Sequence, residues 1–323
     1  MYSYDYDYPE EESQDQSHKT LAIFYSLAFV FSLCSNVLVL IIIYLFERLT
    51  TVINLLLLNL VLSSLLFISS LPLTVAYVLL SHWPFGELMC KLMGSLYYLG
   101  FFSSVLFLAL LTFDRHLAVV YSISAARLRT RAYAGVSCAA VWVVSALACI
   151  KPMLVHKLIK RSVEKRILCQ EDTSTDMPVL WALGLFTQLL LFFLFPLLLI
   201  VFCYTRIACT VLSSQIGTKF KTVRLIFVIV LLFFICWTPF NIATLMHELA
   251  SSPEERRHWA SACTVTQTLA HIYFCISPIF YTFVGTKFQN YFCMLLVKRF
   301  PVLKGHISVS QSRVNVSTKS TPN

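Results

Sequence analysis

Residues 21–46 read LAIFYSLAFVFSLCSNVLVLIIIYLF and carry no charged side chain. At 1.5 Å per residue a helix of this length is about 39 Å long, more than the roughly 30 Å of hydrocarbon in a bilayer. The apolar residues follow one another without alternation, which excludes a strand of a porin-like barrel. The pattern recurs. Residues 49–86 are uncharged, enough for one tilted helix and a loop at Ser81-His82-Trp83-Pro84. Residues 88–113 hold only Lys91, and 132–150, 177–205, 225–247 and 259–286 are again free of charge. Seven spans are therefore expected, in an all-α membrane protein. Composition agrees: 58% of the 323 residues are hydrophobic and 13% charged, against about 45–50% and 25% in soluble domains. With a mean hydropathy of +0.75, the chain is neither a disordered polypeptide nor a soluble enzyme with one buried core.

An odd number of spans puts the termini on opposite sides, and Lys and Arg decide which is inside. With the N-terminus outside, 15 of the 25 basic residues face the cytoplasm with only Glu47 and Asp114 as acids. The outside then holds 10 basic and 14 acidic residues, so the net +9 divides into +13 inside and −4 outside. The basic residues sit at span ends rather than on one soluble face, so the excess of positive charge reads as topology and not as nucleic-acid binding. The first 17 residues are polar and acidic with no basic segment, so the first span is expected to act as its own insertion signal. No internal repeat supports an inverted-repeat transporter.

Of 11 cysteines, Cys34, Cys138, Cys149, Cys203, Cys209, Cys236 and Cys275 lie within spans and read as small packing residues. Cys90, opening the third span, and Cys169, in the loop before the fifth, both face the oxidising side. A bridge between them would tie that loop over the bundle. No CxxC, HExxH or GxSxG pattern occurs, so no metal, cofactor or acyl-transfer chemistry is expected.

Arg115 lies 25 residues after Cys90, about 37 Å along a helix. That places Asp114-Arg115-His116 at the inner interface. A charge at the bilayer centre costs about 2.5–3.5 kcal/mol, so the pair should face the bundle or water. It has company: Asn36 in span one, Leu58-Asn59-Leu60 in span two, Trp142 in span four, Pro196 and Tyr204 in span five, Cys236-Trp237-Thr238-Pro239 in span six and Ser277-Pro278-Ile279-Phe280-Tyr281 in span seven. In order and spacing these resemble the rhodopsin-like (class A) G-protein-coupled receptors over residues 20–300. Ser70-Leu71-Pro72, Trp83-Pro84-Phe85-Gly86, Asp114-Arg115-His116-Leu117-Ala118-Val119-Val120 and Lys221-Thr222-Val223-Arg224-Leu225-Ile226 resemble the chemokine-receptor branch, of lymphotactin (XC) or CC type.

The resemblance implies a plasma-membrane receptor, not an enzyme, that binds a basic chemokine outside and activates a heterotrimeric G protein of inhibitory type inside. Four regions are expected: a disordered acidic tail over 1–19, the seven-helix bundle over 20–286, a short amphipathic eighth helix on the membrane surface over 287–300, and a cytoplasmic tail over 301–323. The tail carries Asp5, Asp7, Glu10, Glu11, Glu12 and Asp15 without a base before Lys19, suited to steering a basic partner. Tyr4, Tyr6 and Tyr8 stand beside acids, as tyrosines that are sulfated in this family do. Tyr25, Tyr97 and Gln267 match the family's ligand pocket, with bundle packing as the lesser reading of the two tyrosines, and Gln267 stands where relatives carry Glu. Pro196, Trp237, Pro239 and Pro278 match the switch region. Asp114, Arg115, Tyr204 and Tyr281 match the G-protein-coupling end, with Arg115 exchanging Asp114 for Tyr204 on activation. The eighth helix carries an apolar stripe, Phe288, Tyr291, Phe292, Leu295 and Leu296, with Cys293 open to palmitoylation or to plain packing. Seven Ser and Thr in the tail are positions at which a receptor kinase and arrestin would act. Two alternatives stand beside this reading: a scavenging receptor that internalises chemokine without G-protein signalling, and, from another class, a transporter or channel.

Ser64 and Ser277 occupy places where relatives carry Asp and Asn around a sodium ion, beside Ser104. Without a carboxylate the ion loses its main charge compensation. Sodium is accordingly expected to have a weak effect or none on agonist affinity in binding assays. A sodium effect that disappears in Ser104→Ala would contradict this.

Overall fold

The computed structural model describes residues 11–46, 51–161, 166–171, 178–213, 220–284 and 286–299. In chain order these form α1 (Glu11–Phe46), α2 (Val52–Ile68), α3 (Leu71–Leu80), α4 (Gly86–Val120), α5 (Ser122–Leu128), α6 (Arg131–Ala148), α7 (Ile150–Val155), an antiparallel hairpin of β1 (His156–Arg161) and β2 (Arg166–Glu171), α8 (Pro178–Phe186), a π-helical stretch Thr187–Leu194, α9 (Phe195–Ser213), α10 (Phe220–Leu249), α11 (Pro253–Val284) and α12 (Thr286–Arg299). Helices α2–α3, α6–α7 and α8–α9 each form one interrupted span, as the apolar runs predict. Among the described residues six spans are long and apolar enough to cross a membrane. The seventh, α11, has 32 residues but is diluted by Gln267, Thr268, His271 and Ser277, of which His271 and Ser277 are turned into the bundle and buried. Helix α1 starts at Glu11, before the expected boundary at residue 20. Its first turns contain no Pro or Gly to break it. The acidic residues up to Glu10 and the tail 301–323 lie outside the described residues.

The bundle is apolar outside and partly polar inside. On α1 the buried positions Ala22, Tyr25, Ala28, Ser32, Asn36, Val39 and Ile43 recur every three or four residues, while Ile23, Leu27, Val30 and Phe31 are exposed. A lipid-facing stripe of large side chains around a seam of small or polar ones is what helix packing in a bilayer favours. The seam is closed by side-chain bonds. Trp142 Nε1 donates to Asn59 Oδ1 at 2.9 Å, and Asn59 Nδ2 donates to the Leu55 carbonyl at 2.8 Å, so one amide joins spans two and four. Gly100 lets α4 approach α2 closely: a Cβ there would lie 2.5 Å from the Phe67 backbone nitrogen.

Each interruption has a local cause. Pro72 sits near the start of α3 and has no N–H to offer the preceding turn. At that break the hydroxyls of Ser69 and Ser70 donate to the carbonyls of Leu66 and Phe67 at 2.6 and 2.7 Å. Pro152 lies in α7, just beyond the break at Cys149. Buried Pro196 follows the π-helical stretch, whose wider turns absorb the mismatch that a proline introduces. Helix α12 packs back on the bundle, with Tyr291 stacked on Phe46 at 4.9 Å. It covers Thr286–Arg299, the stretch over which the sequence predicts a short helix at 287–300.

The outer end is capped by the Cys90–Cys169 disulfide. It joins α4 to β2, where Cys169 pairs with Leu158. The basic loop read from the sequence is thus an ordered hairpin at its two strands. Trp83, buried beside the bridge, donates its backbone N–H to the Ile167 carbonyl at 2.7 Å and its indole N–H to the Gly86 carbonyl at 2.8 Å. Gly86 takes φ +76°, with open space where a Cβ would lie. Gly86→Ala should therefore lose about 1–2 kcal/mol from backbone strain alone, read as a lower melting temperature of the purified protein. Gly135, inside α6 and equally open, should accept Ala with no loss. Equal melting of the two variants would refute the role given to Gly86.

Candidate functional site

Three linked regions run from the outer end of the bundle to the inner one. The outermost is a cavity of about 330 Å³ between spans three, four, five and six. The disulfide holds β2 across the bundle mouth, so Glu171, two residues after Cys169, reaches inward. Tyr98 Oη donates to Glu171 Oε1 at 3.1 Å, and Lys151 Nζ lies 3.0 Å from Glu171 Oε2. Thr187, Gln188, Thr244 and Glu248 add to the polar lining. None of these was expected from the sequence, where Lys151 and Glu171 counted only as loop charges. The available signal was positional: one ends span four, and the other follows a bridged cysteine.

The expected pocket residues Tyr25, Tyr97 and Gln267 do converge, around a residue that the sequence reading passed over. His271 lies one turn inward from Gln267, whose carbonyl accepts its Nδ1–H at 2.6 Å. Its ring is 5.1 Å from Tyr25 and 5.9 Å from Tyr97. Tyr25 Oη pairs with Thr268 Oγ1 at 3.2 Å, so this hydroxyl is satisfied as a packing tyrosine's would be. Tyr97 differs: its hydroxyl is buried and turned toward Gln267, without closing a hydrogen bond. An ionisable side chain inside a span is a functional candidate by default, and that rule would have pointed to His271.

Below this cluster lies an aromatic stack. Phe67 contacts both Tyr97 (4.8 Å) and His271 (5.1 Å), and stacks on Phe274 at 3.8 Å. It meets Trp237 edge-on at 6.1 Å, and Trp237 lies flat on Phe101 at 4.0 Å. Trp237 is fully buried, and its indole N–H has no hydrogen-bond partner. Two residues on, Pro239 stands inside α10, where it removes one backbone bond and permits a bend. Asn241 bridges that bend: its amide donates to the Trp237 carbonyl at 2.9 Å and accepts from Gln188 Nε2 at 3.3 Å. Three of the four expected switch residues, Pro196, Trp237 and Pro239, thus fall on spans five and six, and Asn241 is an addition that only the fold reveals. The fourth, Pro278, lies on α11, in a stretch whose side chains lie outside the described ones.

At the inner end Asp114 is fully buried. It accepts from Arg115 Nη2, as expected of the neighbouring pair. It also accepts a two-pronged contact that was not expected, from Arg129 Nε to Oδ1 at 2.6 Å and Nη2 to Oδ2 at 2.8 Å. Tyr204 stands at the same level with its ring edge-on to Phe227 of α10 at 5.0 Å. Its hydroxyl is buried without a partner, so no hydrogen bond joins it to Arg115 in this state. The side chains of Tyr281, Glu11 and Glu12 lie outside the described ones, and Tyr4, Asp5, Tyr6, Asp7, Tyr8 and Glu10 lie outside the described residues. Around the sodium position of relatives, Ser64 donates to the Leu60 carbonyl, and Ser104 Oγ and Asn36 Oδ1 are buried without partners.

The profile of the family described as 7 transmembrane receptor (rhodopsin family) matches residues 35–281. The chain is 35% identical to C-C chemokine receptor type 1 of Homo sapiens over 288 residues, which cover 86% of this chain and 79% of the relative. It is 33% identical to probable C-C chemokine receptor type 3 of Mus musculus over 311 residues, covering 91% and 85%. It is also 33% identical to C-C chemokine receptor type 8 of Homo sapiens over 289 residues, covering 86% and 79%. Seven spans, a bridged outer loop, a buried Trp237 two residues before Pro239 in span six and an Asp–Arg pair at the inner end occur in one chain with this similarity, and the protein belongs to the rhodopsin family of seven-transmembrane receptors, in its chemokine-receptor branch: a multi-pass plasma-membrane receptor, not an enzyme.

Proposed function

We propose that this receptor binds a basic chemokine at its outer face and activates a heterotrimeric G protein of the inhibitory type at its inner face. The observation that carries the proposal is the unbroken aromatic contact from Tyr97 and His271 through Phe67 to Trp237, next to the Pro239 bend. A ligand segment entering between Tyr25, Tyr97 and Gln267 would press on the same side chains that pack against that bend. Packed aromatic side chains do not deform continuously, so displacement at the outer end favours a second arrangement of α10. The inner half of α10, which meets span five at Tyr204 and Phe227, would then move away and uncover Arg115 for the G protein. Ligand binding shifts this equilibrium only as far as the ligand prefers one arrangement.

The outer cavity adds a second anchoring point. Its Lys151–Glu171 pair is partly exposed and suited to a ligand segment bearing both amine and carbonyl groups. The acidic tail would capture the basic body of the chemokine first. The Ser- and Thr-bearing inner tail is proposed as the substrate of receptor kinases and the dock for arrestin, and α12 as the element that lies on membrane lipid, with Cys293 available for palmitoylation. Intact Asp114 and Arg115 support signalling over the scavenging alternative.

Two measurements test the reading. Arg115→Ala should abolish inhibition of cAMP formation while leaving chemokine binding within about twofold. Full signalling in that variant would sink the assignment, and chemokine uptake by the wild type without any G-protein response would select the scavenger. Neutralising Asp5, Asp7 and Glu10–Glu12 together should slow chemokine association by about tenfold at low ionic strength and much less at high salt. Equal association rates at low salt would remove the tail from the binding pathway.

A further inference from the structure

We infer that Arg129 is the residue that keeps Asp114 paired when Arg115 leaves it, and that it thereby sets how readily Arg115 is released. The inference rests on the G-protein reading of Arg115 given above and concerns a residue to which that reading gives no role.

Asp114 is fully buried at the inner end of α4. A buried carboxylate stripped of its partner is strongly destabilising, so Arg115 cannot depart unless something else holds the charge. In the structure Asp114 is shared unequally. Arg115 contributes one N–H, to Oδ2. Arg129 contributes two, one to each oxygen, the fork geometry that makes arginine–carboxylate pairs strong. Arg115 is also the less satisfied of the two, because its Nε is buried without a hydrogen-bond partner.

The backbone around Arg129 fixes this arrangement. Arg129 caps α5 through its N–H to the Ala125 carbonyl at 2.9 Å. The next residue, Thr130, caps α6 by accepting the Tyr133 N–H at 3.1 Å. Arg129 is thus clamped between two helix ends, belongs to neither α4 nor α10, and does not travel with the moving span. Its fork can stay on Asp114 while Arg115 swings away. By the sequence topology the only other acid on the inner side is Glu47, so the inner ends of spans five and six offer no carboxylate of their own to hold Arg115. Restraint of Arg115 falls to Asp114 alone, and Arg129 competes for it.

A double-substitution cycle on the purified receptor tests the shared pairing without any ligand or G protein. Arg115→Ala and Arg129→Ala should each lower the melting temperature modestly, because the remaining arginine still pairs Asp114. Together they should lower it by at least about 3 °C more than the sum of the two, and adding Asp114→Asn should recover that excess. Additive losses, or an excess that Asp114→Asn does not relieve, overturn the inference. Binding of a minimal inhibitory Gα subunit tests the consequence. Arg129→Ala should weaken it about tenfold, Arg129→Lys less, and Asp114→Asn/Arg129→Ala should restore it. Restoration separates this role from a loop-folding one, which Asp114→Asn would not repair. Gα affinity unchanged or raised in Arg129→Ala overturns the inference, whereas a wild type that binds no Gα while the cycle is super-additive defeats the G-protein reading and leaves the shared pairing standing.

Discussion

A peptide N–H or C=O left unpaired in hydrocarbon costs several kcal/mol, and no water is there to supply the missing bond. Everything else in this receptor is arranged around that constraint. It makes each span a helix and confines the one described hairpin to the outer end, where water is at hand. It also explains the company that prolines keep. The break before Pro72 is covered by the hydroxyls of Ser69 and Ser70, Pro196 follows a stretch of wider turns, and Asn241 ties the chain beside Pro239 to span five. Polar side chains or wider turns thus stand beside each of these prolines and bind the neighbouring backbone or relax its winding.

With the backbone satisfied, side chains are free to specialise by depth. Near the outer mouth, the disulfide and the Trp83 loop hold β2 over the bundle, which is how Glu171 comes to face Tyr98 and Lys151. At mid-depth there are few formal charges, and rings carry the contacts instead. Trp237 lies flat on Phe101 and edge-on to Phe67 and Phe274. A stack of this kind transmits a displacement because its members cannot be compressed singly. At the inner end charge returns, concentrated on one buried carboxylate with two arginines around it. Polar groups thus meet at the outer and inner ends, and aromatic rings pack the path between them.

The legible part of the site was the part that lies on single helices. Trp237 and Pro239, Asp114 and Arg115, and Tyr25, Tyr97 and Gln267 came from the resemblance to the receptor family, whose motifs each lie within one span. The bridge between Cys90 and Cys169 was legible because two cysteines share the oxidising side. What escaped was pairing between elements far apart in sequence. His271 was hidden in an apolar run, although its depth and its spacing from Gln267 were available. Arg129 looked like one more basic residue of an inner loop, and its reach to Asp114 depends on how α5 and α6 are capped and turned against α4. The Tyr98–Glu171–Lys151 group required knowing how far the hairpin leans over the mouth.

By itself the sequence determined seven spans and their orientation, because lipid solubility, helical rise and the placement of Lys and Arg are properties of consecutive residues, and its motifs, taken in order, carried the resemblance to the family. Only the tertiary structure decided which polar groups meet across the bundle. Helix rotation, the breaks at prolines and the close approach at Gly100 come from packing among all the spans at once, and a shift of one residue in any of them would send Arg129, His271 or Glu171 to a different neighbour.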